Sequence, residues 1–108
     1  MNDKILSLLG ICRRAGRLII GAQPTVDSIQ AKKAKLIIFA NDFSQRSAKP
    51  VLEAAHSHNV KTITINRCKD ELSVALGKLC GVAAVEDDGF AKKLILLNEN
   101  ELGGELHG

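Results

Sequence analysis

At 108 residues the chain holds one ordinary domain and not two. Its 45% of hydrophobic residues suffices for a core, its 25% of charged residues is ordinary for a soluble protein, and no apolar run approaches the ~18 residues of a membrane span. The net charge of +3 is unevenly spread: residues 1–40 carry seven Lys/Arg against two Asp, residues 86–108 two against six Asp/Glu, so a basic front half of the kind that attracts phosphate backbones joins an acidic end.

Ile5, Leu8, Leu9 and Cys12 recur at helical spacing and predict a first helix, with Asn2 or Asp3 as its cap and Ala15-Gly16 as its end. The N-terminus carries no signal-peptide pattern. Leu18-Ile19-Ile20 is a short strand, stopped by Gly21. Gln23-Pro24 opens a second helix that runs to about Lys33 with a thin apolar stripe of Val26 and Ile29. Leu36 to Ala40 is continuously apolar, as a central strand covered on both faces should be. A helix from about Ser47 follows, with Ala48, Val51, Leu52 and Ala55 on one face and Pro50 in its first turn. Thr62 to Ile65 is the third strand. Leu72, Ala75, Leu76, Leu79 and Cys80 predict a helix over Asp70 to Cys80, closed by Gly81. Val82 to Val85 is the fourth strand. Asp87 or Asp88 caps a last helix striped by Phe90, Leu94 and Leu97. From Asn98 the sequence NENELGGELHG is polar and glycine-rich, and reads as a flexible, dispensable tail outside a domain of residues 1–97.

Alternation of helix and strand implies an α/β fold: a three-layer α/β/α sandwich on a mixed, mostly parallel four-stranded sheet with helices on both faces. Chemistry is sparse. His56 and His58 are two positions apart on a helix and point to different sides, so they do not share a metal. Cys12, Cys68 and Cys80 form no CxxC pair and read as reduced thiols of a cytoplasmic protein. No glycine-rich phosphate loop is present. The expectation is a protein without catalytic residues, metal or cofactor.

RRAGRLIIGAQPTV, KKAKLIIFANDFS, KTITINRCKDELSVALGK and AAVEDDGFAKKL together resemble the "seven Ae" and "thirty e" kink-turn RNA-binding superfamily of ribosomal proteins, in its bacterial YlxQ-like branch. The resemblance covers residues 3 to 97. It implies an α/β/α sandwich and a non-catalytic, cytoplasmic, monomeric protein that binds structured RNA, ribosomal or otherwise non-coding, with the ribosome as a candidate partner and no membrane. In that family the turn from the first strand into the second helix reads G-x-N-E-x-x-K, and an apolar loop before the last strand packs on an extruded base. Gly21 matches the glycine and Gln23 falls on the asparagine. Pro24 and Asp27 replace the glutamate and lysine, and the loop before Val82 is short. The candidate RNA-contacting residues are Arg13, Arg14, Arg17, Gly21, Gln23, Lys32, Lys33 and Val82, of which Gly21, Gln23 and the loop at Val82 follow from the resemblance. The three arginines suit phosphate and are expected at the same end of the sheet as the start of the second helix. Arg13 and Arg14 equally suit the dipole at a helix C-terminus. The departures leave a second reading, a protein–protein adaptor on the same fold.

Overall fold

The computed structural model describes residues 3–107. Helix α1 spans Lys4–Arg14 and buries Ile5, Leu6, Leu8, Leu9 and Cys12. Asp3 is its cap, with Oδ1 accepting the Leu6 N–H at 3.0 Å. Strand β1 is Leu18–Ile20, and α2 is Ala22–Gln30 with Gly21 as N-cap. Beside Ile29, α2 buries Thr25 and Ser28, small polar residues that let it lie close on the sheet. Ser28 Oγ donates to Glu86 Oε2 at 2.6 Å and so ties α2 to the exit of the last strand.

Strand β2 is Leu36–Phe39, and α3 is Gln45–Ser57. That helix starts earlier than its apolar stripe suggests, because Ser44 Oγ accepts the Ser47 N–H at 3.0 Å and caps it. Pro50 is therefore not in the first turn but inside the helix, and its missing N–H frees the Arg46 carbonyl on an exposed surface. Strand β3 is Lys61–Thr64. Helix α4 covers only Lys69–Leu76. Gly77 adopts φ +69, the left-handed conformation that ends a helix, so Leu79 and Cys80 lie beyond it. Strand β4 is Val82–Val85, and α5 is Asp88–His107 with Asp87 Oδ2 accepting the Phe90 N–H at 2.9 Å.

The sheet order is β1-β4-β2-β3. Only β2 and β3 pair in parallel; β4 is antiparallel to both β1 and β2. The expectation of a mostly parallel sheet is thus corrected. Strands β1, β2 and β3 run one way, and β4 is inserted against them between β1 and β2. The cause is the path after β3. Val82, the first residue of β4, pairs with Phe39, the last of β2. The segment containing α4 therefore moves sideways along one edge of the sheet instead of returning to the other edge, as a parallel crossover must.

Register alternation divides the core. Leu36, Ile38, Ala83 and Val85 face α1, α4 and α5 through Leu9, Cys12, Leu72, Leu76 and Leu94. Ile37, Phe39, Val82 and Ala84 face α2 and α3 through Ile29, Val51 and Ala55. Strand β2 is central and buried on both faces, as its composition predicts.

The boundary placed at Asn98 does not coincide with the end of α5, which continues to His107. Asn98 is buried, and Glu101 Oε2 accepts from Arg67 Nη2 at 2.6 Å. Arg67 also binds Asp3 through Nε at 2.6 Å, so one guanidinium ties the start of α1, the β3–α4 connection and α5 together.

Cys12 and Cys80 are buried, and burial pushes both thiols up to about 11. Cys68 is partly exposed. Ellman titration at pH 8 should therefore count one thiol in the native protein and three in denaturant. Rapid native reaction of two or more would show that α1 or the Cys80 segment opens readily.

Candidate nucleic-acid interface

The register aligns the strands in rows. Leu18, Val85, Leu36 and Lys61 form one end row of the sheet. Val82, Phe39 and Thr64 lie on the row at the other end, and Gly21 joins them by donating its N–H to the Val82 carbonyl at 3.0 Å. The two end rows are separated by roughly 10 Å of strand.

At the second row Gly21 has φ +109 and ψ 156, a region open essentially to glycine alone. The turn exposes backbone there, and the free N–H groups of the first turn of α2 point out of the same edge. Gly21, Gln23 and Val82 are thus brought together, as the sequence implies. Their roles differ. The Val82 side chain is buried in the core and offers no surface. The exposed apolar group is Leu79, 81% accessible, in the five-residue segment Gly77–Gly81 that leads into β4. Val74, on α4, is equally exposed. Sequence periodicity assigned Leu79 to a buried stripe; the signal that could have found it is the glycine two residues before, which stops the helix.

Gln23 Nε2 donates to Asp27 Oδ1 at 3.0 Å. The carboxylate therefore occupies one donor of the amide and places a negative charge one turn into α2.

The cations stand elsewhere. Arg17 immediately precedes β1, and its carbonyl accepts the Glu86 N–H at 2.8 Å. That position is one residue outside the first row, at the opposite end of the sheet from Gly21. The expectation that the arginines border the start of α2 is corrected for Arg17: β1 is extended, so four residue steps become roughly 13 Å. Arg13 and Arg14 lie in the last turn of α1. An Arg13 Nη1 sits 3.6 Å from where a Cβ on Gly77 would stand, so this side chain reaches across to the end of α4. Arg14 folds back over Gly10 of its own helix. Lys32, with φ +62, and Lys33 form the turn after α2, and Lys35 donates its N–H to the Val85 carbonyl at 2.7 Å. These lysines accompany Arg17, not Gly21.

Among the described residues no group of His, Cys, Asp and Glu has the arrangement of a metal site, and no helix is long and apolar enough to cross a membrane.

A family model described as the ribosomal protein L7Ae/L30e/S12e/Gadd45 family matches residues 3–95. An RNA-binding protein YlxQ of Enterococcus faecium is 34% identical over 85% of this chain and 88% of its own length. The RNA-binding protein YlxQ of Bacillus subtilis strain 168 is 33% identical over 83% of this chain and 90% of its own. Among solved structures, a Bacillus halodurans protein of unknown function superposes with a TM-score of 0.82 at 31% identity, covering 89% of this chain and 97% of that one. The Giardia lamblia 15.5kD RNA binding protein shares the fold, with a TM-score of 0.70 at 19% identity over 93% of this chain and 92% of that one. With its sheet, its five helices and nearly its whole length matched, the chain belongs to the ribosomal protein L7Ae/L30e/S12e/Gadd45 family.

Proposed function

We propose that this is a non-catalytic RNA-binding protein of the cytoplasm that, as a monomer, takes a structured, sharply bent RNA such as a kink-turn on the Gly21 edge. One observation carries the reading: the positive-φ turn at Gly21 is hydrogen-bonded to Val82, three residues after the solvent-exposed Leu79. A backbone free of Cβ, on a turn bonded to the strand that an exposed apolar side chain precedes, suits a bent RNA with an unstacked base. The first lets a phosphate or sugar come close, and the second packs on the base. Two relatives named as RNA-binding proteins, similar over most of the chain, support the same conclusion. Gln23 can present an amide edge to a purine once its bond to Asp27 is released. Arg13 and Arg14 add phosphate contacts, Arg17, Lys32 and Lys33 lying at the other end of the sheet, and ribosomal or another non-coding RNA is the partner.

The test is binding of a kink-turn duplex to surface variants. Leu79→Glu should weaken binding about tenfold or more, equivalent to ~1.4 kcal/mol, with an unchanged melting temperature because the residue packs on nothing. Pro24→Glu combined with Asp27→Lys should tighten it by removing a repulsive charge and supplying the family's acceptor and cation. If neither variant changes the affinity, the Gly21 edge is not the RNA site, and the Gln23–Asp27 pair marks an adaptor surface for protein instead.

A further inference from the structure

The cations that the fold separates from Gly21 are not scattered. Arg17 and Lys35 stand one residue outside the first row of the sheet, Lys61 stands in it, and Lys32 and Lys33 fill the turn before Lys35. At about 4.8 Å per strand the line from β1 to β3 measures roughly 14 Å, long enough for about four nucleotides of one strand. All five side chains are exposed. Among the described residues none of them lies within ion-pair distance of a carboxylate, the ion pairs there being those of Arg67. Between Arg17 and Lys35 stands Glu86, whose Oε2 is turned onto the Ser28 hydroxyl. Asp87 is turned onto the Phe90 N–H, and Asp88 lies in the first turn of α5. Beside the lysines an open cavity of about 510 Å³ separates the ends of α2 and α3, lined by Lys32, Lys35, Ser57, His58 and Asn59 among others. Its polar walls offer donors beside the charges.

Helix dipoles do not account for this set. The C-terminal ends of α2 and α3 do point to this edge, yet α2 has no basic residue in its last turn, and Arg17, Lys35 and Lys61 belong to strand entries. Nor does the Gly21 site account for it. The two edges lie at opposite ends of the strands, so the contacts made at the Gly21 turn do not include this set.

We propose that the Arg17–Lys35–Lys61 edge is a second RNA-binding site, reading phosphates without base preference, and that one chain thereby bridges two RNA segments. The inference rests on the Gly21 edge being the first site. Its recognition is electrostatic, so it holds a backbone of any sequence and releases it steeply with salt.

The experiment is the stoichiometry of the full chain with a short kink-turn duplex in molar excess, measured by sedimentation velocity at about 50 mM salt. The wild-type chain is expected to carry two duplexes. The variant Lys32→Asn, Lys33→Gln, Lys35→Gln should carry one; asparagine is chosen at Lys32 because it tolerates the positive φ. Circular dichroism melting confirms that the variant is folded. Leu79→Glu should also carry one duplex, now lost over a narrower rise in salt. A wild-type complex with a single duplex overturns the proposal, and so does a triple variant that still carries two. A triple variant that binds no RNA makes the basic edge the sole site and overturns both readings. If the triple variant carries one duplex while Leu79→Glu carries two, the bridge stands and only the part given to Leu79 is lost.

Discussion

Leu76→Ala is expected to lower the unfolding free energy by about 2–5 kcal/mol. Helix α4 has eight residues and only Leu72 and Leu76 buried beneath it. Leu76 is 4% exposed and sits in the core with Leu9, Cys12 and Ile38. A helix this short gains little from its own hydrogen bonds and depends on its packed face. Removing one of its two anchors leaves a cavity in the core beneath the helix. Urea denaturation followed by circular dichroism measures the loss. A change under about 1 kcal/mol would show that α4 is not part of the cooperative unit.

Arg67→Met should cost about 2–3 kcal/mol at neutral pH. The guanidinium is 13% exposed and holds Asp3, 16% exposed, and Glu101, 37% exposed. Hydrogen bonds between charged groups contribute more than neutral ones when buried, and the share of Glu101 is reduced by solvent screening. The variant leaves the Asp3 carboxylate half-enclosed with only its capping bonds. The pH dependence gives the second readout. The hydrogen bond from Arg67 is the main cause holding the Asp3 carboxyl below its ordinary value, against the opposing effect of burial. A group lowered in the folded state contributes stability that is complete above its unfolded value, near 3.9, and lost as pH falls through the folded value. The gap between wild type and Arg67→Met should therefore be widest at pH 7 and shrink toward pH 3. A gap that stays constant with pH would assign the effect to packing of the arginine stem. Truncation after Leu97 removes Glu101 and should reproduce part of the loss, so the tail is not fully dispensable.

Most elements were legible because burial leaves a period. Leu36 to Phe39 is apolar at every position, and the structure buries all four side chains. The stripe of α1 reads directly as the face packed on the sheet. Periodicity fails where a backbone event interrupts it. Leu79 and Cys80 continue the spacing of Leu72 and Leu76, but the left-handed Gly77 intervenes, and Leu79 faces solvent while Cys80 is buried. Strand direction is also invisible, since Val82 to Val85 alternates identically read either way. At the site, nearness along the chain misled. Arg17 and Gly21 are four positions apart, yet an extended strand carries them to opposite ends of the sheet, a separation that a helix would have shortened to one turn.

The inverted β4 sets the order in which the sheet can close. It pairs with β1 on one side and β2 on the other, and those two strands do not pair with each other. Until Val82–Val85 has left the ribosome, β1 has no partner, and α2 lies over a gap. The nascent protein can form the β2–β3 pair early, because its strands are joined by a single helix. The remaining two pairings close long loops and come last. The Gly21 turn is bonded to β4, so an incomplete chain lacks that edge, whereas the lysines of the other edge flank the early β2–β3 pair. Emergence of the last strand is thus the step that completes the sheet and the turn at Gly21.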